Sequence, residues 1–161
     1  MAIDTDDIRS TLNDLIQSLK DGEEGFHASA EKLKEHNLRS QFESFALQRA
    51  RFAAELQSLV SQIGGKPETS GSATGALHRG WIDIKNSFSG NDDHAVLVEA
   101  ERGEDAAVKN YRDALSKDLP SDIREVIDRQ YREILSAHNT VRALRDRESI
   151  TNTATGTPRA Y

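Results

Sequence analysis

Glu24 and His27 stand three residues apart in KDGEEGFHASAEKL, the only Glu-x-x-His spacing in the chain. On a helix this places a carboxylate and an imidazole one turn apart, as metal sites commonly require. Whether such a pair can act depends on the face it occupies. A helix advances ~100° per residue, so each polar side chain can be set against the apolar stripe of its own helix. In the first helical stretch Leu12, Ile16, Leu19, Glu23, Phe26 and Ala30 follow one line. Glu23 then falls inside the stripe, Glu24 points away from it, and His27 sits at its border. The Glu24–His27 pair reads as a solvated edge.

Glu23 is the first of several polar residues on the inner side. Leu38, Phe42, Phe45, Arg49, Phe52 and Leu56 put Arg49 on the core side of a second helix, with Gln48 at its margin. Leu97, Glu101, Glu104, Val108 and Tyr111 put Glu104 at the centre of a third stripe. Ile123, Ile127, Gln130, Ile134, His138 and Val141 turn both Gln130 and His138 inward in a fourth. Glu23, Arg49, Glu104 and Gln130 lie near the middles of their stretches, so they are expected at one height, with His138 two turns further along. A lone buried charge would cost several kcal/mol, so these groups must satisfy one another, bind an ion or reach water. One solution is an internal polar layer in which Arg49 bridges Glu23 and Glu104. The other is a metal site built from Glu23 and Glu104 with His138 or His27.

The elements that must position these residues are punctuated clearly. The first stretch runs from about Thr5 to Glu35. Asn37 is a suitable N-cap for the second, and Gly64-Gly65 closes it. The third follows Asp92-Asp93, and Pro120-Ser121 opens the fourth. Short links inside each pair predict two antiparallel hairpins. The connection between them, residues 64–92, is long. It begins with the loop-like GGKPETSGSATG and then spaces Leu77, Trp81, Ile84 and Phe88 as a short amphipathic helix would. Two hairpins joined by one long crossover predict an all-α, ferritin-like, up-down-down-up four-helix bundle with a short extra helix in the crossover. Residues 1–146 form that single domain, and residues 147–161 a polar C-terminal tail.

Composition excludes several functions. The chain has 161 residues, 36% hydrophobic and 30% charged, with mean hydropathy −0.66, a balance suited to long helices with solvated outer faces. A net charge of −6 argues against a nucleic-acid surface, which needs a basic stripe. The absence of Cys removes disulfides, zinc–thiolate sites and thiol catalysis, and fits a reducing cytoplasm. MAIDTDDIRSTL has neither the basic start nor the apolar run of a signal peptide, and no stretch approaches the ~20 apolar residues of a membrane span. Neither a Gly-rich phosphate loop nor a Gly-x-Ser-x-Gly elbow is present. His36 and His78 stand alone, and Asp92, Asp93 and His94 read as a solvated helix start.

LNDLIQSLKDGEEGF, FALQRARFAAELQSLVSQIGGKP, GALHRGW, EAERGEDAAVKNYRDAL and AHNTVRALRD carry a further signal. Across about residues 8 to 145 the chain resembles a bacterial family of uncharacterised four-helix-bundle proteins in the ferritin-like superfamily. The resemblance implies a fold and a bacterial cytoplasmic setting, and no activity. Wider ferritin-like relatives imply a di-iron centre with one Glu from each of two helices and Glu-x-x-His from the other two. Glu23 and Glu104 match the lone Glu positions. Gln48-Arg49-Ala50-Arg51 and Gln130-Tyr131-Arg132-Glu133 stand where Glu-x-x-His should be. Neutral amides and a cation hold those places, and the Arg49 guanidinium repels iron and supplies the positive charge a metal would have brought.

The expected function is that of a non-catalytic bundle with no cofactor, acting through self-association as a homodimer or through a protein partner, in a stress-related role by fold analogy. The alternative is an iron- or manganese-binding oxidase or storage protein with an atypical site. DNA protection is disfavoured by the acidic balance.

Overall fold

The computed structural model describes residues 3–71, 81 and 92–154, with side chains as far as residue 148. Four helices account for nearly all of them: α1 (Thr5–Lys32), α2 (His36–Gln62), α3 (Asp93–Leu115) and α4 (Ser121–Ala154). This is the all-α bundle that the periodicity predicts. The extra crossover helix lies outside the described residues except at Trp81, which is helical and buried.

The hairpins form as expected. Arg9 reaches the carbonyl of Ile63, while His27 meets Glu43 at the other end of the pair, so α1 and α2 run antiparallel. Tyr111 meets Gln130 and Asp105 meets His138, so α3 and α4 do likewise. The hairpins pack through further antiparallel neighbours. Asn110 on α3 and Lys117 just beyond its end reach Ser18 and Thr11 on α1, and Gln130 on α4 reaches Phe52 and Glu55 on α2.

The ends show which local signals prevail. Gly64 has φ +76°, and its N–H donates to Ser61 while that of Gly65 donates to Val60, a Schellman closure of α2 as the Gly-Gly pair predicts. Asp92 caps α3 by accepting from the His94 N–H, and Ser121 opens α4. Three boundaries differ from expectation. α1 ends at Lys32, and α2 begins at His36 with Glu35, not Asn37, in the N-cap position. The reason is tertiary: the Asp93 carboxylate of α3 accepts the N–H groups of Lys34 and Glu35 and fixes the turn there. α4 continues to Ala154, so the tail boundary expected at 146 falls inside a helix. Glu148 and Arg147 maintain ion-pair chemistry there without an apolar stripe to announce it.

The core has two apolar halves. One gathers residues such as Leu12, Leu19, Phe52, Val108 and Ile127, the other Phe26, Phe42, Ala46, Leu97 and Val141. Arg49 falls between Ala46 and Phe52, and Glu104 between Ala100 and Ala107. Polar chemistry therefore divides the core where the two halves meet.

Candidate functional site

Arg49 and Glu104 are both 0% exposed. The guanidinium donates from Nη1 and Nη2 to the two carboxylate oxygens at 2.6 and 2.7 Å, a bidentate pair across α2 and α3. Its Nε donates to Gln48 Oε1 at 3.3 Å, and its centre lies 5.1 Å from the Phe26 ring. Both charges are thereby compensated in a fully buried setting, and each oxygen of Glu104 accepts from the guanidinium.

Glu23 is not in this layer. It is half-buried and pairs with Lys20 at 3.2 Å on its own helix, which corrects the expected Arg49 bridge. The residue of α1 that faces Arg49 is Gly22, whose added Cβ would lie 3.5 Å from Nη1. The stripe of α1 runs through Gly22, and an apolar pattern cannot register a residue without a side chain. Gly22 borders the guanidinium at a distance where even a methyl would make ordinary van der Waals contact.

Gln130 is buried as expected but stands at another height. It accepts from the Tyr111 hydroxyl at 2.7 Å and donates to Glu55 at 2.7 Å and the Phe52 carbonyl at 3.3 Å. Tyr111 lies seven residues beyond Glu104, about 10 Å along the helix. The single expected layer is thus two separate groups. α4 has 34 residues against 23 in α3 and overshoots it, so the middle of α4 is not the middle of the bundle. Burial pushes the Tyr111 phenol well above its usual pKa, against the opposing charge of Arg49.

The histidines divide. His27 is exposed and bonds Glu43 at 3.0 Å, with Glu31 nearby. The Glu43 hydrogen bond raises its pKa above the usual imidazole value. His138 is nearly buried, but on the α3–α4 seam and not in the layer, with Nε2 2.6 Å from Asp105 Oδ1. Glu23, Glu104, His27 and His138 are therefore not brought together. A di-iron centre does not fit this donor set, because Glu104 is consumed by Arg49, Glu23 faces Lys20, and Gln130 is bonded to Tyr111 and Glu55.

Three contributors were not expected beside the polar residues, although Tyr111 and Trp81 lie in apolar stripes of the sequence. Glu55 and Tyr111 enter through the packing of α2 and α3 on α4. Trp81 packs on Phe26, ring centroids 4.9 Å apart, between Gly25 of α1 and Gly103 of α3, where a Cβ on either glycine would overlap the indole. It closes the apolar half next to the ion pair. No helix among the described residues is long and apolar enough to cross a membrane.

Residues 7–117 match the family described as Domain of unknown function (DUF2383), over more than half of the chain. Comparison with curated proteins found no match.

Proposed function

From the premise that the chain belongs to the DUF2383 family, we propose a non-catalytic helical-bundle protein that acts through its outer surface, by self-association or by binding a protein partner. The observation that carries this reading is the Arg49–Glu104 pair. It fills the centre of the bundle with groups that satisfy each other, so the position suited to cofactor chemistry has no valence to offer.

The scaffold is best understood as ferritin-like. Antiparallel contacts of α1 with α2 and α3, and of α4 with α3 and α2, support an up-down-down-up order with the crossover between α2 and α3. A metal-free descendant of such a scaffold keeps the packing and replaces the cation with a guanidinium. A bacterial cytoplasmic setting follows from the family resemblance and fits the absence of Cys. A stress-related role rests on analogy at the level of the fold.

Self-association as a homodimer has a place to begin. Leu47 is the large hydrophobic left exposed among the described residues, at 65%, on the outer face of α2. A single exposed leucine is ordinary on a monomer, so sedimentation of the wild type and Leu47→Glu decides the point.

The test of the central reading is metal content by mass spectrometry before and after aerobic Fe(II) loading. The expected result is that no iron is held in a way that depends on Glu104. Stoichiometric iron that disappears in Glu104→Ala would overturn it in favour of a metal-binding oxidase or storage protein.

A further inference from the structure

The seam between α3 and α4 holds donors that the buried layer leaves unused. Glu101 and Asp105 stand one turn apart on α3, and His138 comes across from α4. Each offers one ligand atom, and the three atoms lie within 4.8 Å of one another. Glu101 is buried and Asp105 is exposed, so the set runs from the interior to the surface. His138 turns Nε2 toward Asp105, and its buried Nδ1 has no hydrogen-bond partner among the described residues, so the set is the side on which this ring makes its polar contact. A cavity opens beside the set, lined by Asp105 and His138 with Val108, Leu135, Lys109 and Arg142.

We propose that Glu101, Asp105 and His138 bind one divalent first-row transition ion of the zinc type. Two carboxylates alone would suit magnesium or calcium, whereas an imidazole shifts preference toward transition metals. Three protein ligands leave a fourth position for water, as in open zinc sites. The adjoining cavity supplies room for that water and a route from solvent. The competitor is Arg145, whose Nη1 pairs with Glu101. It can release Glu101 without stranding its charge, because its Nε and Nη2 already donate to Asp146 at 3.2 and 2.9 Å. Arg142 lies 3.9 Å from Glu101 and contributes a weaker pull. This site is separate from the Arg49–Glu104 pair, and its existence does not depend on the function proposed above.

The experiment is calorimetric titration of the tag-free full chain with Zn(II), backed by the visible spectrum of the Co(II)-loaded protein. One ion per chain is expected. Asp105→Asn and His138→Gln should each weaken binding at least about tenfold, since even the groups that support metal ligands are worth 10–100-fold. His27→Gln, which removes the other histidine–carboxylate pair, should leave affinity unchanged. Asp105 is exposed, so Asp105→Asn retains the fold, and circular dichroism verifies this. Absence of saturable binding, binding that survives both Asp105→Asn and His138→Gln, or binding abolished by His27→Gln overturns the proposal. An Arg145→Gln variant that binds no tighter than wild type overturns the assignment of Arg145 as competitor.

Discussion

Arg49 brings a permanent charge into the middle of the protein, and its removal tests the account of the core directly. Arg49→Met should strand Glu104 as an uncompensated buried carboxylate and destabilise the fold by roughly 3–5 kcal/mol. Denaturant unfolding measures this, and an unchanged midpoint would show that Glu104 finds another partner. Adding Glu104→Leu should recover most of the loss, because a buried pair replaced by apolar groups of similar volume is often neutral. Arg49→Lys should not substitute, since an ammonium cannot span both oxygens. Tyr111 gives the alkaline counterpart. Its folded pKa lies above its unfolded value, so its contribution is complete below pH ~10 and declines as pH rises beyond that. Tyr111 should therefore ionise only as the chain unfolds, and Tyr111→Phe should flatten the loss of stability between neutral pH and pH ~11, as followed by thermal unfolding.

At the scale of elements, glycines decide how closely α1 and α3 can approach what lies between them. Gly25→Ala or Gly103→Ala would force the Trp81 ring out of its slot or spread the helices, at about 1–3 kcal/mol. Trp81 is the chain's one tryptophan, so its emission reports the outcome without ambiguity. Displacement should shift it to the red, whereas unchanged emission and stability would place the indole elsewhere. Gly64→Ala meets a different obstacle, a left-handed backbone at the end of α2, and should cost about 1 kcal/mol in thermal or denaturant unfolding.

For the molecule as a whole, the two apolar halves, the Arg49–Glu104 pair between them and the Tyr111–Gln130–Glu55 group within one of them separate stability from specificity. The apolar halves drive collapse, while Arg49–Glu104 accepts one register of α2 against α3 and Tyr111–Gln130–Glu55 one of α2, α3 and α4. The self-association or partner binding proposed above would use the outer faces. The Arg49→Met, Glu104→Leu double variant should accordingly keep its helicity by circular dichroism while losing uniqueness of packing, seen as broader amide resonances than the wild type.

The amino-acid sequence determines the helices and most of their ends, because stripes of Leu, Ile and Phe, the Gly64-Gly65 pair and Asp92 act within a few residues of themselves. It also determines that Arg49, Glu104 and Gln130 turn inward, since that depends only on the angle within one helix. Which of them meet is decided by tertiary structure alone. Height across the bundle follows from loop geometry and unequal helix lengths, so Gln130 lies level with Tyr111 and not with Glu104. The exchange of Glu23 for Gly22 has another origin: a hydrophobic pattern weighs side chains, so a glycine facing Arg49 leaves no mark in it. The meeting of Glu101, Asp105 and His138 is again decided by tertiary structure, for one helix holds two of the groups and only the packing of α4 supplies the third.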